Sequence, residues 1–151
     1  MHFLAAFPRM PRTLGVAKPA FYAYMSYNEI NPSQHHTIIF DHVIVNFGNA
    51  YSEYAGIFIA PTTGIYAFSY AITAYADALI PIEIVCNAEV IGSSVTMTQG
   101  AYQDNDASTV VIQLSANDVC FIRTSSTYEI SRHIYSGTYA RSSFAGWLIS
   151  K

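Results

Sequence analysis

The stretch FDHVIVNFGNAYSEYAGIFIAPTTGIYAFSY, residues 40–70, decides the reading of this chain. Within it stand Phe40, Asn46, Tyr51, Phe58, Gly64, Tyr66, Phe68 and Tyr70. The first six are separated by five, four, six, five and one residues, and the tail alternates strictly. Side chains alternate across a strand with period two, so Tyr66, Phe68 and Tyr70 share one face. Pro61-Thr62-Thr63 ahead of Gly64 reads as a tight turn entering that strand. Phe58 falls on the strand before the turn. Phe40 and Asn46 flank a short apolar strand, His42-Val43-Ile44-Val45.

Working outward, no segment carries a helical period. Apolar residues alternate or run in stretches of four to eight, rich in Thr, Val, Ile, Tyr and Phe, which argues strands. The expected strands are 20–27, 37–40, 42–47, 54–60, 64–76, 79–87, 90–98, 108–114, 118–128 and 141–150. Turn clusters separate them: Asn31-Pro32-Ser33, Gly48-Asn49, Pro61 to Gly64, Gly92-Ser93-Ser94, Asp104-Asn105-Asp106 and Ser136-Gly137. About ten short strands at this spacing indicate an all-β sandwich. No internal repeat points to a solenoid or propeller.

The eight spaced positions resemble the signature of the globular head domain of complement C1q and its relatives. Pro19-Ala20-Phe21-Tyr22-Ala23 is similar to that family's first strand, and Ser143 to Ile149 to its closing strand. Leu114-Ser115-Ala116-Asn117-Asp118-Val119 is similar to its Leu-x-x-Gly-Asp-x-Val segment, with Asn117 in place of Gly. Asn tolerates the left-handed conformation such a turn needs. Cys120 stands where many members have an aromatic residue, and no collagen repeat precedes the head. The resemblance covers residues 19–151 and implies a jelly-roll β-sandwich of two antiparallel sheets. It also implies a homotrimer. The expected organisation is a mobile tail over 1–18, where Pro8, Pro11 and Gly15 forbid a long helix, and a globular domain over 19–151. Parity puts Phe40, Phe58, Gly64, Tyr66, Phe68, Tyr70, Phe144 and Leu148 in or beside the core.

Of the 151 residues, 15% are aromatic and only 11% charged, well below the usual quarter. Burial of a large face between copies accounts for so few charges; a polar surface of Ser, Thr, Asn and Tyr is the alternative. The net charge of −3 is unevenly placed. Arg9, Arg12 and Lys18 lie in the tail without an acid, so the head is strongly acidic. Nucleic-acid binding needs clustered Lys and Arg on the phosphates, so it is not expected, nor is attraction to anionic membranes. No apolar run is long enough to span a bilayer. Met1 to Phe7 is apolar but lacks the charged start and the length of a secretory signal, so secretion rests on the family likeness.

The search for chemistry gives one surface candidate. Gly-x-Ser-x-Gly, phosphate-binding Gly loops and His-Glu-x-x-His are all missing, so an enzyme is not expected. Adjacent His35 and His36 would point apart on a strand, and no metal is expected at the histidines. Asp104 and Asp106 are weak candidates for calcium, which some members of the family bind; three oxygens on one loop are too few, and no cofactor is expected. Cys86 and Cys120 would lie on neighbouring strands in the family topology. Parity turns Cys86 inward with Ile82 and Ile84, and Cys120 outward if Val119 and Phe121 face the core. Opposed Cβ vectors cannot be bridged, so free thiols are expected.

The candidate site is the stretch Arg123, Tyr128, Arg132, His133, Tyr135, Tyr139 and Arg141. Arg holds a carboxylate bidentately, and Tyr offers an apolar face with a hydroxyl. Together they suit an acidic sugar such as sialic acid. Pairing of Arg with Glu129 or Asp118, and packing of Tyr between subunits, is the structural alternative. The functional expectation is a secreted, trimeric pattern-recognition or lectin-like protein of innate immunity, binding glycans or microbial surface ligands. A tumour-necrosis-factor-type ligand that clusters a receptor shares the fold and is the alternative, followed by a structural extracellular assembly.

Overall fold

The structure is a computed structural model, and it describes residues 18–151. The tail expected over 1–18 lies, except for Lys18, outside the described residues. Ten strands are formed: β1 (Ala20–Tyr24), β2 (His42–Phe47), β3 (Ile57–Ile59), β4 (Gly64–Tyr75), β5 (Leu79–Cys86), β6 (Glu89–Met97), β7 (Gln103–Leu114), β8 (Val119–Thr124), β9 (Ile134–Tyr135) and β10 (Ser143–Ser150). All pairings are antiparallel. The larger sheet runs β2-β1-β10-β4-β7, with β9 beside the far end of β4; the smaller runs β3-β8-β5-β6. This is the two-sheet jelly roll.

The core lies between the sheets and is largely aromatic. Phe21 and Phe144 meet edge to face at 4.9 Å, Phe58 and Phe68 at 5.1 Å, and Phe58 and Tyr66 at 5.5 Å, within the range favoured by the ring quadrupole. Phe40, Phe58, Tyr66, Phe68, Tyr70, Phe144 and Leu148 are all buried. A Cβ on Gly146 would lie within 2.7 Å of both Phe68 and Phe21, so the missing side chain makes room for two rings.

The spaced residues of the 40–70 stretch are joined by hydrogen bonds. Asn46 Nδ2 donates to the Tyr51 carbonyl at 2.8 Å, and Tyr51 N–H donates to Asn46 Oδ1 at 3.2 Å. The Tyr51 hydroxyl donates to the Phe40 carbonyl at 2.8 Å and accepts from the Phe40 N–H at 3.1 Å. Two side chains thereby satisfy four backbone groups beside β2, where Phe40 lies outside any strand and Tyr51 makes only an isolated bridge to Phe58. A Cβ on Gly64 would lie 2.6 Å from both Leu148 Cδ1 and the Ser150 carbonyl oxygen. Tyr66 reaches out of the core to donate to the Thr62 carbonyl at 2.7 Å.

Three expectations are corrected. Cys86 and Cys120 form a disulfide, and no described cysteine is free. They sit directly opposite each other in the β5–β8 register, with Cα atoms 4.2 Å apart. Cys120, Ile122 and Thr124 face inward, while Val119, Phe121 and Arg123 are only partly buried on the other face. The parity of β8 was misread because it carries apolar residues on both faces. Asp104-Asn105-Asp106 is not a turn but the start of β7, paired with Thr73, Ala74 and Ile72 of β4. Alternation puts Asn105 on the opposite face from the two aspartates, so the three cannot converge on calcium, and no group of three potential ligands gathers among the described residues. Residues 37–40 form no strand, only a bridge from Thr37 to Arg123, and His35 and His36 lie on a turn.

Candidate functional site

Two surfaces stand out, a sheet face and a set of loops. The outer face of the larger sheet reads across the strands in rows. One is Phe47, Ala20, Trp147, Ala67 and Val111; the next is Val45, Tyr22, Ala145, Ser69 and Thr109; the third is His42, Tyr24, Ser143, Ala71 and Ala107. These rows contain no Lys, Arg, Asp or Glu. Phe47, Val45, Tyr22, Trp147 and Val111 are exposed on it, and Ile149 and Ile65 extend it. An uncharged face that exposes apolar side chains across its strands is the kind of surface buried against another chain.

The loops gather at the end of the sandwich where β4 passes into β5, away from Gly64 and Lys151. β6 passes into β7 at that end, and β8 into β9 and β9 into β10. The four most exposed large apolar or aromatic side chains among the described residues are loop tyrosines: Tyr54 at 84%, Tyr139 at 83%, Tyr102 at 81% and Tyr128 at 69%. Three of them, Tyr102, Tyr128 and Tyr139, belong to this end; Tyr54 lies on the β2–β3 connection. Tyr102 and Tyr54 fall outside the candidate stretch. Tyrosine in a turn-rich context was the available signal for both.

The stretch 123–141 divides between the two faces of the sandwich. Arg123 lies on the outer face of the smaller sheet, and its Nε donates to Glu83 Oε1 at 2.6 Å. Both side chains are largely buried there. Its guanidinium is therefore committed to a carboxylate of the protein. After β8 the chain closes a compact turn, because Ser125 Oγ accepts from the N–H groups of Thr127 and Tyr128 at 3.1 and 3.0 Å. Gln34 Nε2 donates to the Tyr128 carbonyl at 2.8 Å. Ser131 then bridges Leu79, and Arg132 follows with φ 75°, exposed to solvent. His133 Nδ1 accepts from the Asn31 N–H at 2.9 Å, which fixes its outer nitrogen as the one bearing hydrogen.

Beyond β9 the candidates turn to the larger sheet. Tyr135 packs edge to face on Tyr75 at 5.7 Å. Arg141 lies over the Tyr24 ring at 4.3 Å, and Tyr24 stacks on His42 at 4.6 Å. Buried serines hold this segment: Ser136 Oγ donates to the Met25 carbonyl at 2.5 Å and Ser142 Oγ to the Tyr135 carbonyl at 2.7 Å. Of the seven candidates, Arg123 and Tyr128 thus belong to one face and Tyr135 and Arg141 to the other. Arg132 and His133 lie on the segment between them, and Tyr139 tips the last loop. No single pocket takes all seven.

Matching against protein families decides the kinship. The model of the C1q domain fits residues 20–149. The chain belongs to that family. Among solved structures this C1q domain is similar to the globular domain of zebrafish complement 1qA protein, with TM-score 0.71 and 16% identity over 87% of this chain and 98% of that one. It is also similar to the Eiger TNF of S. frugiperda, at TM-score 0.64 and 15% identity, covering 88% and 93%. Murine APRIL matches at TM-score 0.65 and 9% identity, covering 87% and 98%. At such identities the likeness to these structures is one of fold. The C1q domain here carries a disulfide, and among its described residues no helix is long and apolar enough to cross a membrane. C1q domains are generally extracellular ligand-binding modules that typically form homotrimers.

Proposed function

We propose that this C1q domain is a secreted, homotrimeric recognition head that binds glycans on cell or microbial surfaces, in a pattern-recognition role of innate immunity. The observation that carries the ligand class is the chemistry of the most exposed large apolar or aromatic loop side chains, the four foremost of them tyrosines. Tyrosine gives rigid contact area with a hydroxyl at its tip and loses little conformational freedom on binding. A receptor-clustering ligand would favour aliphatic tips, and Ile30 is the one described loop aliphatic comparably exposed.

The uncharged face of the larger sheet supports the trimer. Three copies sharing that face bury it and present three sets of loops. Linked shallow sites then exceed a single site by about 10²-fold or more. For an acidic sugar the uncommitted guanidinium is Arg132, since Arg123 is held by Glu83 and Arg141 lies against Tyr24. A glycan array probed with the intact oligomer tests the reading. Binding to a defined set of terminal sugars is expected; binding to none would contradict it.

A further inference from the structure

The smaller sheet carries a groove of about 920 Å³ on its outer face, between the strands β5 and β6 and the turn 125–129. That size lies within the range of small-ligand sites and leaves ample room for a sugar ring. Its floor is apolar: Pro81, Val90 and Val95 line it. Ser93, Ser126 and Thr127 bring hydroxyls to the rim, and the hydrogen bonds formed at Ser126 and Thr127 use their backbone N–H groups, not their hydroxyls. Tyr128 forms the wall. Its N–H is held by Ser125 Oγ and its carbonyl by Gln34, so the backbone is fixed while the ring stays exposed.

Charge narrows the occupant. Two carboxylates line the groove. Glu83 is neutralised by Arg123 and also accepts from the Ser126 N–H at 3.3 Å. Glu129 is exposed and enters no salt bridge among the described residues. The groove therefore offers an apolar floor, an aromatic wall, hydroxyls and one free negative charge. A sugar ring without a carboxylate meets each of these: its C–H face on the aromatic and apolar surfaces, its hydroxyls on the rim, and a hydroxyl pair donating to Glu129. An acidic sugar would set its carboxylate against Glu129 with no free guanidinium lining the groove.

We infer that this groove is the glycan subsite and that it takes an uncharged terminal hexose or N-acetylhexosamine, excluding sialic acid. The inference rests on the glycan-binding reading above. The test is an array of galactose-, mannose-, N-acetylglucosamine- and sialic-acid-terminated glycans, probed with the wild-type oligomer and with Tyr128→Ala and Glu129→Ala. Each variant alters an exposed loop side chain, and solution mass and melting temperature are checked against wild type. Wild type is expected on uncharged termini. Tyr128→Ala should lose about tenfold or more, as a lost aromatic anchor does, and Glu129→Ala should weaken binding. Glycan binding that survives both Tyr128→Ala and Glu129→Ala overturns the groove assignment and leaves the glycan reading standing, as does binding confined to sialylated glycans. No binding to any glycan by intact wild type removes both.

Discussion

Removing the Cys86–Cys120 disulfide is the perturbation whose size follows most directly from the structure. The bridge spans a sequence separation of 34. Closing a loop of that length takes about 13 cal/mol/K of chain entropy from the unfolded state, or about 4 kcal/mol at room temperature. Both sulfurs are buried in the core, so the double variant Cys86→Ala/Cys120→Ala also loses packing, about 1 kcal/mol per methyl-sized void. For a chain of this size each kcal/mol moves the melting temperature by about 2–4 °C. The double variant should therefore melt at least 10 °C below wild type at equal protein concentration, by calorimetry. Wild type refolded under reductant keeps the sulfur volume and should fall between the two. Two free thiols per chain, titrated in denaturant without reductant, would refute the pairing. A double variant melting within about 2 °C of wild type would refute the loop-closure reasoning.

Other consequences follow from named contacts. Gly146→Ala should cost about 2–3 kcal/mol by urea unfolding, because its Cβ would press on the rings of Phe68 and Phe21 and tightly packed cores yield little. Glu83→Ala should cost about 3 kcal/mol by leaving the Arg123 guanidinium poorly solvated, and the pair removed together should cost less than the two single changes summed. Burial drives the Tyr51 phenol well above its ordinary value, against the opposing bond from the Phe40 N–H, with Asp41 adding. A raised folded value means the contribution is intact below pH 10 and lost as pH rises beyond it. Stability should fall above pH 10 by about 1.4 kcal/mol per pH unit from this residue alone. Tyr51→Phe should flatten that slope in urea titrations at pH 9–11.

The parts of the fold legible in the sequence were those where large inward side chains alternate with small ones. In β4 the inward Tyr66, Phe68 and Tyr70 alternate with smaller residues, and β10 repeats the pattern with Phe144 and Leu148. Alternation failed where a strand is apolar on both faces: β8 could not reveal that Cys120 points inward with Ile122. It failed again where the first half of a strand is polar, since Asp104-Asn105-Asp106 reads as a turn until the full length of β4 is seen to pair with β7. The two-residue β9 is too short to carry any period, and it exists because β10 leaves the far end of β4 unpaired. Residue types named the surface candidates, but their partners decide what each can do. Arg123 reads as a free cation until Glu83 is found beside it, 40 residues earlier in the chain.

Trivalency turns shallow tyrosine contacts into useful affinity, and it depends on the uncharged outer face of the larger sheet being shared between copies. Light scattering on the purified head measures this directly. Wild type is expected at about 50 kDa, three times the 16.7 kDa chain. Trp147→Arg, which sets a charge in the middle of the row Phe47, Ala20, Trp147, Ala67 and Val111, is expected to shift that mass to a single folded chain. Wild type running as a monomer at micromolar concentration, or Trp147→Arg remaining a trimer, would contradict the assembly and the recognition mechanism built on it.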